Sequence, residues 1–162
     1  MDDDPAYDIS VSLEAPSPAE TEACVAGAVE ATLARYRPRT ARVSVAVVDD
    51  AAIRQLNERH LDHDEPTDVL AFDLRGETPQ PAGSPSQVLV DGDIVVSVET
   101  ARREADRRGH DVHAELALYA VHGTLHLLGH DDADAERAAS MHEIEDEILT
   151  ALGYGAIYEA PQ

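Results

Sequence analysis

The chemistry-bearing residues of the chain are concentrated in Val121-His-Gly-Thr-Leu-His-Leu-Leu-Gly-His-Asp-Asp132. On a helix, His122 and His126 stand one turn apart and project from one face, so a single helix offers two imidazoles to one metal ion. Gly129 follows three residues later, and a residue that tolerates positive φ ends the helix there and lets the chain reverse. The reversal carries Asp132 back toward the two histidines. Three protein ligands with a fourth position left for water is the arrangement of a catalytic zinc rather than of a closed structural one.

The third ligand has three candidates. His130 is the softer donor but follows Gly129 at once, with little chain to swing its ring back, whereas Asp131 and Asp132 have more reach. Asp132 is preferred, because zinc proteases whose third ligand follows a helix-ending glycine use the same interval. A carboxylate ligand makes the site harder and widens its tolerance toward other divalent ions. Histidine pairs at this spacing also occur on ordinary helix surfaces, and a buried histidine can simply be hydrogen-bonded. Here Leu116, Leu118, Val121, Leu125, Leu127 and Leu128 predict a buried helix whose histidines need a purpose, which favours the metal. Helical zinc proteases place a glutamate after the first histidine as general base; this chain has Gly123, which disfavours peptide hydrolysis. Glycine costs helix stability, so Gly123 implies close passage of backbone or substrate, or tight packing against a strand.

The elements that must position this segment alternate along the chain. Tyr7 to Leu13 has strand periodicity, and Pro16 and Pro18 precede a helix from about Ala19 to Arg35. Arg42 to Val48 is a β-branched strand, after which Asp49-Asp50 caps a short helix through Asn57. His60 to Glu65 reads as a polar loop, Asp68 to Leu74 as a strand, and Arg75 to Ser86 as a Pro, Gly and Ser-rich excursion. Gln87 to Val98 holds strands broken near Asp91-Gly92, and three helices follow at roughly 99 to 108, 111 to 128 and 134 to 151. The expected architecture is α+β: one domain over residues 1–162, a mixed sheet of about four strands covered by helices, with the metal helix central. His60 and His63 lie where a loop can approach the site but read as exposed, as do His110, His113 and His142. Thr67 and Asp68 read equally as turn caps or as substrate contacts, and Asp93 as a turn residue.

At 162 residues and 43% hydrophobic content, one core is expected. No apolar run has membrane length and the start lacks a signal-peptide pattern, so a cytoplasmic protein is expected. Cys24 is the sole cysteine and reads as a small buried hydrophobe. Twelve basic against 33 acidic residues give a net charge of −21, which opposes binding to a phosphate backbone over most of the surface. Every basic residue is arginine, and they cluster as Arg35, Arg37, Arg39 and Arg42, then as Arg102, Arg103, Arg107 and Arg108. The second group is the expected RNA-facing helix surface, unless it is only solvated.

His122-Gly-Thr-Leu-His126-Leu-Leu-Gly129-x-Asp131 resembles the signature of the YbeY family of metal-dependent endoribonucleases. Leu56-Asn57, Pro66-Thr-Asp-Val-Leu-Ala-Phe72, Gly92-Asp93-Ile94, and Met141 with Glu145 are similar to further family blocks in the same order, over residues 40 to 153. The resemblance implies a zincin-like metal helix on a small mixed sheet. It also implies one divalent ion, most simply zinc, and cleavage of single-stranded rRNA during 3′-end maturation of the small-subunit rRNA and ribosome quality control. The implied partners are the small ribosomal subunit, a ribosomal protein and an assembly GTPase, with no membrane or DNA. Carry-over places a ligand at Asp132, where the family commonly has histidine, and Leu61 stands where it tends to carry an arginine thought to help with RNA. Asp131 is then a candidate for orienting a ligand or a reacting water. The other functions weighed are a ribosome-assembly factor with a structural metal and little nuclease activity, and a metallopeptidase.

Overall fold

The computed structural model describes residues 6–61, 69–74, 89–130 and 134–155. Chain order is β1 (Ala6–Leu13), α1 (Thr21–Tyr36), β2 (Thr40–Val48), α2 (Asp50–Leu61), β3 (Val69–Asp73), β4 (Leu89–Ser97), α3 (Val98–Arg108), α4 (Val112–Leu127) and α5 (Ala135–Ala151). The four strands form one mixed sheet in the order β1-β2-β4-β3. β1, β2 and β4 run parallel, and β3 closes one edge antiparallel to β4. The expected α+β architecture is therefore present.

Strand alternation decides which face is buried. Val43, Val45 and Val47 of β2 with Val90, Ile94 and Val96 of β4 point into the main core, beside α1 and α4. The alternate positions Val48, Val95 and Leu70 form a smaller cluster with Ile53 of α2 on the opposite face. α4 touches α1, α3, α5, β3 and β4, so it is apolar nearly all round, as a central helix must be. Among the described residues no helix is long and apolar enough to cross a membrane.

Two glycines let α4 lie against β4. A Cβ on Gly123 would come within 2.8 Å of Ile94 Cγ2, and one on Gly92 within 2.5 Å of Leu127 Cδ2 and 2.8 Å of the Phe72 carbonyl oxygen. Packing against a strand is thus what Gly123 serves, and Gly92 answers it from the sheet.

Several boundaries differ from the sequence expectation. β4 runs unbroken through Asp91-Gly92, because Gly92 pairs with both Val43 and Asp73 in register rather than turning. Asp93 sits inside that strand, opposite Phe72. α2 continues through His60 and Leu61, past the expected end at Asn57. His113 lies in the first turn of α4 and joins it to the segment before α1, with Nδ1 2.9 Å from Asp111 Oδ1 and Nε2 2.8 Å from the Ala19 carbonyl. His142 belongs to α5. His63, Thr67, Asp68 and the 75–88 excursion lie outside the described residues.

Candidate functional site

The helix carrying the histidine pair is fixed at both ends. Asp111 accepts the His113 backbone N–H at its start. At its end Gly129 adopts φ 100°, its N–H reaches the His126 carbonyl at 3.1 Å, and the His130 N–H reaches the Leu125 carbonyl at 3.0 Å. This is the Schellman pattern, so the glycine reversal read from the sequence exists. It places His130 within a turn of His126. Asp131 and Asp132, into which the chain then runs, lie outside the described residues.

His122 and His126 turn their rings toward each other. Their Nε2 atoms are 3.1 Å apart, with ring centroids 4.6 Å apart and planes at 76°. Two nitrogens held tetrahedrally at zinc bonding distance are separated by roughly 3.3 Å, so the pair is already spaced to share one ion. Behind them, Glu145 of α5 places Oε2 2.5 Å from Nδ1 of His122. With Nδ1–H donated to that carboxylate, the Nε2 lone pair of His122 faces His126, which is how ligating histidines are commonly oriented.

Glu145 is completely buried, and its Oε1 has no hydrogen-bond partner among the described residues. A carboxylate so placed is costly unless it performs a task. The family resemblance assigns Glu145 to the last helix and implies no role for it. The available signal was its position on the stripe formed by Met141, Ile148 and Leu149, all buried. The donor set thus fits a metal ion as far as two imidazoles and an orienting carboxylate. The described residues contain no complete cluster of three ligating side chains; the third candidates follow Gly129.

The His130 ring centre lies 5.0 Å from that of Tyr36. Beside it a shallow cavity of about 360 Å³ is lined by Gly129, His130, Glu136, Arg137, Ser140 and Met141.

Three of the four α3 arginines are engaged with local acids. Arg103 meets Asp50 at 2.6 Å, Arg107 meets Glu104 at 2.5 Å, and Arg108 lies 3.5 Å from Glu104 and 3.8 Å from Glu115. Arg102 is exposed. Asp50 also accepts from Ser97 and Thr100, and these bonds with Arg103 hold its carboxyl below the usual range against the opposing effect of burial. Glu115 in the first turn of α4 is fully buried, and burial raises its pKa more than Arg108 and Tyr119 lower it. Glu115, which Arg108 approaches, therefore sits at the far end of α4 from the histidines, seven to eleven residues or roughly 10 to 17 Å along the axis. Burial likewise raises the Cys24 thiol, whose Sγ lies 3.3 Å from the Tyr154 hydroxyl, in keeping with a packing role.

Comparison with known proteins gives one consistent family. The profile described as Endoribonuclease YbeY matches residues 9–153. A relative named Endoribonuclease YbeY from Moorella thermoacetica is 47% identical over 115 residues, 70% of this chain and 74% of its own. One of the same name from Rhodopseudomonas palustris is 40% identical over 142 residues, 83% and 78% of the two chains. A solution structure from Thermotoga maritima shares the fold with a TM-score of 0.58 at 20% identity, covering 94% of this chain and 96% of that one.

Proposed function

Because the chain belongs to the Endoribonuclease YbeY family, we propose that this endoribonuclease is metal-dependent, cuts single-stranded ribosomal RNA, and acts in 3′-end maturation and quality control of the small subunit. His122, His126 and Asp132 would hold one divalent ion, most simply zinc. When bound, the ion supplies a water of lowered pKa and charge stabilisation at the scissile phosphate. Glu145 fixes the His122 tautomer by accepting Nδ1–H, and buried Leu125 and Leu127 keep bulk water from the helix behind the ligands. Asp131 is the candidate to orient the reacting water. The single observation that carries the metal is the 3.1 Å approach of the two Nε2 atoms with Glu145 seated behind one of them.

The test is cleavage of precursor small-subunit rRNA by the purified protein with and without a chelator, alongside elemental analysis. Cleavage that stops with chelator and returns with one equivalent of metal supports the proposal. Undiminished cleavage by metal-free protein would overturn it.

A further inference from the structure

The geometry points to a path for the RNA strand over the end of α1 and the turn after α4, with Arg37 and Arg39 as its phosphate contacts and the Tyr36–His130 pair as its stacking surface. This deepens the reading of the protein as a nuclease for single-stranded RNA and rests on it.

The fold brings together two segments that are far apart in sequence. α1 ends at Tyr36, whose ring lies against that of His130, and His130 follows the Schellman turn only four residues after His126. Arg35 lies with its guanidinium 5.8 Å from the Tyr36 ring centre, so the arrangement is cation, aromatic, imidazole. Pro38 is buried and its carbonyl accepts the Tyr7 hydroxyl at 3.0 Å. That anchor holds Arg37 and Arg39 on the exposed surface to either side of it.

The charges favour this face over α3. In a chain of net charge −21, several of the described arginines already face a carboxylate: Arg35 pairs with Glu147 at 2.8 Å, Arg42 with Asp91 at 2.9 Å, and Arg103 and Arg107 with Asp50 and Glu104. A phosphate must compete with that carboxylate for each of them. Arg37 and Arg39 form no salt bridge among the described residues and require no such exchange. Single-stranded RNA adds what a duplex cannot: unstacked bases able to lie on an aromatic or imidazole face beside the phosphate contacts. The position, four residues after His126, suits the strand on one side of the cut.

The experiment is fluorescence anisotropy of metal-loaded protein with a labelled, 2′-O-methylated single-stranded RNA across a salt series, with metal content measured for each variant. R37Q/R39Q is expected to weaken binding about tenfold near physiological salt. It should also flatten the log–log salt slope by roughly 1.4, about 0.7 per lost contact on a single strand. R37K/R39K should keep most of the slope, and R102Q/R107Q should change both quantities little. If wild type and R37Q/R39Q bind alike while the enzyme still cuts RNA, the path is wrong and the nuclease reading stands. Loss confined to R102Q/R107Q would move the contact to α3. A wild-type protein that neither binds nor cuts RNA would remove the nuclease reading and the path together.

Discussion

Glu145 is the residue whose removal discriminates most sharply between a packing role and a chemical one. Glu145→Ala is expected to lower metal affinity by about 10 to 100-fold in a chelator competition, because His122 would lose the acceptor that fixes its ring. Glu145→Gln keeps an amide oxygen for Nδ1–H and should lose less; equal affinity in all three proteins would leave Glu145 a buried structural acid. His122→Ala and His126→Ala should each abolish stoichiometric metal, whereas Asp132→Ala should weaken it more than His130→Ala, whose ring packs on Tyr36. Glu115 provides a test of the opposite kind. Its folded pKa lies above the ordinary 4.5, so its contribution to stability is full below that value and lost as pH rises through the folded value. Glu115→Gln should therefore raise Tm at about pH 8, with the advantage shrinking as pH falls through the carboxylate range. A lower Tm at pH 8 would mean that the 3.8 Å approach of Arg108 outweighs desolvation.

At the level of elements, the contact between α4 and β4 depends on two glycines that act differently. Ala at Gly92 meets both Leu127 and the fixed Phe72 carbonyl, so Gly92→Ala should cost about 1 to 3 kcal/mol. At Gly123 the three nearest atoms all belong to the flexible Ile94 side chain, and alanine gains about 1 kcal/mol of helix propensity in return. Gly123→Ala should cost less, and Ile94→Ala in the same chain should relieve it, giving clear non-additivity in urea melts. Additive behaviour would separate the two side chains. These contacts also explain what the sequence could and could not reveal. The order of strands and helices follows from periodicity and caps, and the His-x3-His turn ending at Gly129 was readable because helical spacing alone fixes it. Gly92 reads as a break because a glycine after an aspartate signals a turn, whereas its pairing with Val43 and Asp73 keeps it in the strand and the approach of Leu127 leaves no room there for a Cβ. Glu145 was hidden for a similar reason: which residue of α5 meets His122 is decided by helix packing, not by spacing along one helix. The nearness of Tyr36 to His130 spans most of the chain and has no local signature.

Over the whole molecule, 33 acidic against 12 basic residues leave a surplus of 21 negative charges whose mutual repulsion opposes the folded state. Acting against it are exposed pairs such as Arg42 with Asp91 and Arg35 with Glu147, each weak because solvent screens it. Salt screens both effects, and its net sign shows which is larger. The surplus is spread over the surface and adds over many separations, whereas the pairs are few and individually weak, so repulsion should dominate. Tm is expected to rise by several degrees as sodium chloride increases from about 10 to 500 mM, since the Debye length falls from roughly 30 Å to only a few ångströms. RNA affinity should fall over the same range, because each counterion released on binding gains less entropy in the more concentrated solution. The two observables thus move in opposite directions with one variable, and a nearly neutral protein would show only the second. A Tm that fell with salt would assign the balance to the local ion pairs, and Arg42→Gln, which removes the bidentate contact to Asp91, would then lower Tm at low salt and have little effect at high salt.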